Sequence, residues 1–375
     1  MLDENDYIKK NLKLLLSNTE KAYSTLGRLS LTKDIVKNVN RLSEYRSIIQ
    51  TESEIFSQIS IVKPVFILTL PRTGSTFLHC LLSEDKRWKV PGKWELGKPY
   101  PYPLDPPSKE NEETLASFKE SNFLLSQFYG PQNIGIAHKL QPTDSEDILT
   151  YMRGDGIFSS QSFALDIPEY NACVENLSYN TWLKIFENFK DRLKMISRFQ
   201  NLENRRFLLM FHMSPFCNIS ALLETFPDAQ FIILHRDPIK IIPSITSLFQ
   251  YTSRIHLKPF TDNTQYICDK LTDVYLKEID KMFIWREDKR LKKNKIIDLQ
   301  FSELVKNPKN VVKQLYRFLQ IEYNQECDEA FENYIKFQNN HKYGVHKYMK
   351  MNLDKVKIRR RSKEYMRLYN IEPNV

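Results

Sequence analysis

Short, mostly apolar runs interrupt a chain that is otherwise polar, and the stretches between them repeat apolar positions every three to four residues. Four runs stand out: Pro64 to Leu70 (PVFILTL), Phe207 to Phe211 (FLLMF), Phe231 to Leu234 (FIIL) and Ile296 to Leu299 (IIDL). Each is too short for a helix and rich in β-branched or aromatic residues, so each predicts a buried strand. After the first run, Phe77 to Leu82 (FLHCLL) reads as an amphipathic helix. After the third, Pro238 suits a first helical turn and Ile241, Ile242, Ile245 and Leu248 keep helical spacing. Residues 1–60 read as helical, with Leu12, Leu15 and Leu16 on one face and Ile35, Val39, Leu42 and Tyr45 on another. They predict a helical hairpin packed on the sheet, a partner-binding arm being the alternative. Residues 109–204 read as mostly helical with a break near Gly154-Asp155-Gly156, and helices return to about residue 338. Lys98 to Pro107 (KPYPYPLDPP) excludes both helix and central strand, because each proline removes a backbone donor. Alternating strands and helices of this kind predict an α/β fold, a central parallel sheet flanked by helices, with an N-terminal helical extension.

The candidate chemistry sits at two strand ends. Leu68 to Phe77 (LTLPRTGSTF) runs from the first strand through a turn holding Gly74 and three hydroxyls into a helix N-terminus. Successive N–H groups and the helix dipole there favour an anion, and Arg72 adds a forked cation suited to phosphate or sulfate oxygens. The spelling is not that of a nucleoside-triphosphatase loop, G-x-x-x-x-G-K-[ST]: it is shorter, has one glycine and carries its cation first. An ordinary strand–turn–helix corner with a solvated arginine is the plain alternative. At the second strand end, His235-Arg236-Asp237-Pro238 places Arg236 where open α/β sheets bind ligands, and Ser244 follows on the next helix. The plain alternatives are an ion pair of Arg236 with Asp237, and a Ser244 hydroxyl bonded back into its own helix.

PRTGST followed by an Arg…Ser pair in this order resembles the 5′-phosphosulfate loop and 3′-phosphate motif of sulfotransferases, enzymes that use 3′-phosphoadenosine 5′-phosphosulfate (PAPS). Leu81 to Asp85, Trp94-Glu95 and Ala221 to Ala229 (ALLETFPDA) extend the resemblance to the mostly microbial branch with PR[ST]G[ST][ST] and HRDP signatures, over about residues 62–355 and only loosely from 105 to 200. The resemblance implies a P-loop-containing sheet and sulfuryl transfer from PAPS, without a metal, to a hydroxyl of a small phenolic, polyketide, sterol or lipid-like acceptor. It implies that Arg72, Thr73, Gly74, Ser75 and Thr76 hold the 5′ end, that Arg236 and Ser244 read the 3′-phosphate, and that a basic loop with His346 and Tyr348 closes over the nucleotide. Arg72 would stabilise charge on the leaving phosphate. Glu95 and His212 are both candidates for the base, with the ranking slightly towards Glu95. One departure is plain: relatives carry Lys-Ser-Pro at the strand end where this chain has Phe211-His212-Met213. It keeps open a catalytically weak PAPS- or nucleotide-binding partner protein. A small-molecule kinase is the third reading, disfavoured by the missing P-loop lysine.

Composition refines this picture little. At 375 residues the chain can bury a sizeable core, and nine glycines are few for a loop-rich all-β protein. Lys and Arg exceed Asp and Glu by nine, 55 against 46, a field that suits a multiply charged nucleotide. No nucleic-acid-binding motif accompanies that charge. Five scattered cysteines without C-x-x-C spacing suit a reducing compartment. The start, MLDENDYIKK, has no signal-peptide pattern and no run reaches membrane-spanning length, which predicts a cytoplasmic protein. The expected organisation is an N-terminal extension over 1–60, a catalytic domain over 61–355 and a basic tail over 356–375. Arg359-Arg360-Arg361 reads either as a solvated helix face or as a patch for polyanions or lipid headgroups. Assembly into a homo-oligomer is compatible with the sequence.

Overall fold

The computed structural model describes residues 6–92, 95–96, 116, 148–158, 167–199, 205–212, 217–253, 263–291, 295–340, 348 and 350–373. The Lys98–Pro107 segment, Trp94 and His346 lie outside them. Helices α1 (Asp6–Ala22), α2 (Thr25–Thr51) and α3 (Ser53–Gln58) precede strand β1 (Val65–Thr69) and α4 (Ser75–Leu82). Strand β2 (Trp88–Lys89), a 3-10 helix (Ile148–Asp155), α5 (Pro168–Glu175), α6 (Tyr179–Phe199), β3 (Arg206–His212) and α7 (Ile219–Thr225) follow. Next come β4 (Gln230–His235), α8 (Pro238–Ser253), α9 (Thr264–Arg286), β5 (Ile296–Gln300), α10 (Phe301–Lys306), α11 (Pro308–Leu319) and α12 (Gln325–Asn340). The chain closes with α13 (Lys355–Arg361) and α14 (Lys363–Leu368). The predicted α/β class and all four predicted strands are present.

The five strands form one parallel sheet in the order β2-β3-β1-β4-β5. Both faces are covered, so the strands read as continuous apolar runs, yet successive residues still go to opposite sides. Phe66, Leu68, Leu209, Phe211, Phe231 and Ile233 point into one core, where Phe66 packs 5.3 Å from Phe226 and 5.8 Å from Phe231, centroid to centroid. Val65, Ile67, Leu208, Ile232, Leu234 and Leu299 point into the other, against α4, α11 and α12. The chain leaves β1 between β3 and β4, one neighbour reached on each side. The carboxyl ends of these three strands therefore flank a crevice, the place where open α/β sheets bind ligands. Register fixes who meets there: Thr69 of β1 lies opposite His212 of β3.

The N-terminal helices differ from expectation in what they pack on. Helix α2 lies along the 3-10 helix, α1 against α5, and α3 against α6. The sheet face they were expected to cover is already occupied by α6, whose Phe186 meets Phe211 edge-on at 5.9 Å. Leu15, Leu31, Ile35, Leu42 and Tyr45 are buried as the periodicity requires, whereas Leu16 is 39% exposed. The C-terminal segment also departs from a tail: Ile358, Tyr365, Met366 and Tyr369 are buried in the main core, so residues 355–371 belong to the folded body.

Asp155, in the predicted break, ties the extension to the domain. It is buried, accepts 2.7 Å from Asn188 Nδ2 on α6, and lies 3.8 Å from Arg46 Nη2 on α2. Burial pushes its carboxyl up to about 6, against the opposing pull of Arg192 and Arg46. A carboxyl raised in the folded state contributes stability that is complete below its unfolded value and lost as pH rises through the folded one. The shift from 3.8 to about 6 corresponds to at most about 3 kcal/mol. Asp155→Asn should therefore gain stability relative to the parent between pH 4 and pH 7, read by urea unfolding at both values. A relative loss over that interval would mean that the arginines hold the carboxyl low.

Candidate active site

The turn after β1 is built around two left-handed residues. Gly74 has φ +93° and opens α4; a Cβ there would lie 2.9 Å from Cδ2 of Phe301, so both conformation and space demand glycine. Arg72 has φ +67°, which a side-chain-bearing residue adopts only when its surroundings hold it. They do so from three sides. Arg236 Nη1 donates to the Arg72 carbonyl at 2.7 Å, Arg72 Nε donates to Ser244 Oγ at 2.9 Å, and the Tyr275 hydroxyl donates to the Pro71 carbonyl at 3.0 Å. The two sequence motifs thus meet directly, and Ser244 accepts from Arg72 instead of bonding back into its own helix.

The hydroxyls of the loop divide into two sets. Thr73 is buried, with Oγ1 2.8 Å from the Leu70 carbonyl and 2.9 Å from Thr69 Oγ1, so its side chain braces the turn from within. Ser75, the first residue of α4, lies with Oγ 2.9 Å from Nε2 of His212. Thr76 is half-buried beside it. One turn further on, buried His79 donates Nε2–H to the Leu208 carbonyl at 3.1 Å. Burial pushes its pKa down to about 4, so that ring is neutral at physiological pH.

Arg236 lies with its guanidinium carbon 4.0 Å from the centroid of the Phe301 ring, a cation–π contact on the same aromatic that closes over Gly74. Tyr348 hydrogen-bonds to it, and the Asp237 carboxylate makes its close bidentate pair with Arg359, at 2.8 and 2.9 Å. Burial pulls both Arg72 and Arg236 below the ordinary guanidinium range, with their mutual repulsion a lesser cause for Arg72 and the Tyr348 hydroxyl opposing in both. Two such cations side by side at a helix N-terminus make a strong site for an anion.

Glu95 is placed differently. It is buried, with Oε1 2.5 Å from Lys89 Nζ and Oε2 accepting from the Gly92 N–H at 2.6 Å. Both of its oxygens are therefore engaged on the β2 side of the sheet, while His212 is in hydrogen-bond contact with the loop itself. No sequence signal places Tyr275, Phe301 or Arg359 at the site, Arg359 being legible only as part of the 359–361 arginine run. All three lie far along the chain and carry no local signature, although an aromatic directly after a strand end (Phe301 after β5) is a weak signal of a platform.

A parallel sheet with an anion cradle after its central strand, and an Arg…Ser pair after the neighbouring strand, defines the class as a P-loop-type α/β fold. Residues 64–325 match the sequence model of the Sulfotransferase family, Sulfotransfer_3, and the chain belongs to that family. Among curated proteins it is similar to the omega-hydroxy-beta-dihydromenaquinone-9 sulfotransferase Stf3 of Mycobacterium bovis and of Mycobacterium tuberculosis. Each is 26% identical over 259 residues, which is 68% of this chain and 62% of the relative, so the match spans less than two thirds of those proteins. Among solved structures it resembles the sulfotransferase STF1 of Mycobacterium tuberculosis H37Rv (TM-score 0.74, 20% identity, covering 96% of this chain and 93% of the other). It also resembles STF9 of Mycobacterium avium (TM-score 0.79, 18% identity, covering 98% and 92%). At these identities the likeness is one of fold. No helix among the described residues is long and apolar enough to cross a membrane.

Proposed function

We propose that this chain transfers the sulfuryl group of PAPS to a hydroxyl of a small, lipid-like or aromatic acceptor. The observation that carries this reading is the meeting of Arg72, Arg236 and Ser244 across the carboxyl ends of β1 and β4. A ligand suited to it bears anionic groups at both ends of one nucleotide. Family membership supports the reaction class. The Stf3 relatives act on an omega-hydroxy-dihydromenaquinone, which supports a hydroxyl on a lipid-like molecule as the acceptor. The kinase reading has less support, because the loop lacks the lysine that serves γ-phosphate transfer.

PAPS would supply an activated sulfuryl group whose bridging oxygen gains charge as it departs. The backbone N–H groups over Thr73 to Thr76 and the hydroxyls of Ser75 and Thr76 hold the 5′ end. Arg72 keeps its Nε on Ser244 and offers the rest of its fork to the leaving oxygen, where stabilisation counts most in the transition state. Arg236 and Ser244 hold the 3′-phosphate, with Tyr348, hydrogen-bonded to Arg236, beside it. For the base we choose His212 over Glu95, reversing the ranking drawn from sequence. His212 touches the loop through Ser75, while both Glu95 oxygens are occupied by Lys89 and Gly92. An imidazole there also compensates in part for the lysine replaced by Phe211.

The direct test of the ligand is calorimetry with 3′,5′-diphosphoadenosine, AMP and ATP. Charge-assisted contacts to the 3′-phosphate should favour the diphosphate over AMP by roughly ten- to a hundredfold. ATP binding as tightly as the diphosphate would overturn the proposal. For the base, His212→Asn should lower turnover at saturating PAPS by about a hundred- to ten-thousandfold, with Glu95→Gln costing much less. The opposite order would return the role to Glu95.

A further inference from the structure

The HRDP turn that carries Arg236 is gripped from outside the family match. Asp237 is buried and its carboxylate accepts from Arg359 Nη1 at 2.9 Å and Nη2 at 2.8 Å, a bidentate pair, and from the Ile239 N–H at 3.0 Å. His235, on the other side of Arg236, is equally fixed. It stacks on Tyr369 with centroids 3.7 Å apart, lies 3.1 Å from the Tyr365 hydroxyl through Nδ1, and lies 2.8 Å from Asp298 Oδ1 through Nε2. Arg286 pairs with the same Asp298 at 2.9 and 2.8 Å. Arg359, Tyr365 and Tyr369 all belong to residues 355–371, whereas the family match ends at residue 325.

Three consecutive residues thus divide their work. His235 and Asp237 point into the protein and are held by the C-terminal helices, and Arg236 between them points at the loop. A buried carboxylate that loses its cation is strongly destabilised, so the turn must shift if Arg359 is removed. The guanidinium of Arg236 reaches the Arg72 carbonyl only while that turn holds its shape.

We infer that Arg359 is a positioning residue for nucleotide recognition, aiming Arg236 at the 3′-phosphate by neutralising and orienting Asp237. This rests on the proposed PAPS reading. The readout is selectivity, because a loss of general stability would weaken all nucleotides alike. In calorimetry, Arg359→Ala should lower affinity for 3′,5′-diphosphoadenosine about tenfold or more, while AMP, which has no 3′-phosphate and meets Arg236 only through the loop it braces, loses clearly less. Arg359→Lys keeps the charge without the fork and should fall between the two. It also serves as the test if the alanine variant does not fold, and parental selectivity in the lysine variant would then overturn the proposal. Adding Asp237→Asn to Arg359→Ala removes the stranded charge and should recover part of the diphosphate affinity. Undiminished selectivity in Arg359→Ala would overturn the positioning role. Equal loss for both nucleotides would do the same, assigning Arg359 to general stability. If the unaltered protein fails to distinguish the diphosphate from AMP, the PAPS reading itself fails, a result separable from the others.

Discussion

Arg72 holds a left-handed backbone that costs an ordinary L-residue roughly 1–2 kcal/mol, and it does so where the chain passes from the central strand into its helix. That conformation cannot persist alone. Its carbonyl, its side chain and the carbonyl before it are each bound by a different residue: Arg236, Ser244 and Tyr275. Those partners come from the turn after β4, from α8 and from α9, so the conformation is held by the sheet and these helices together. The same contacts that restrain the backbone bring two guanidinium groups together. Strain, charge and binding capacity are consequences of one arrangement.

Phe301 completes that arrangement with little chemistry of its own. Its ring lies under the Arg236 guanidinium and against Gly74, so it sets how closely the β4 arm approaches the loop. Residues from the last two helices hold the buried His235 and Asp237, leaving the intervening arginine as the one directed at the loop. The Arg236 arm is therefore supported by segments spread over nearly three hundred residues of sequence, from Arg72 to Tyr369. A small region of chemistry needs a large domain for this reason.

Much of this was legible in the chain because the relevant signals are local. Apolar runs gave the strands β1, β3, β4 and β5, and the strand-end motifs pointed to Arg72, Gly74, Ser75, Arg236 and Ser244. What escaped depends on long-range packing. The N-terminal hairpin was expected on the sheet, but nothing in its periodicity could reveal that α6 already occupies that face. The arginine run of 359–361 looked like a solvated or polyanion-binding patch. Arg360 and Arg361 are exposed as a solvated face requires, Arg361 pairing with Asp280 on α9, whereas Arg359 is committed to buried Asp237. The environments of Glu95 and His212 were likewise invisible, since neither Lys89 nor Ser75 identifies its partner by spacing. Strand-only β2, at two residues, is too short to leave a pattern.

Where a bound nucleotide lies tests most directly whether the two strand ends form one site. A crystal structure of the protein with 3′,5′-diphosphoadenosine should show the 5′-phosphate against the backbone N–H groups of Thr73 to Thr76, and the 3′-phosphate between Arg236 and Ser244. Density for the 3′-phosphate in solvent, or for the nucleotide away from both motifs, would contradict the claim that these two strand ends form one site.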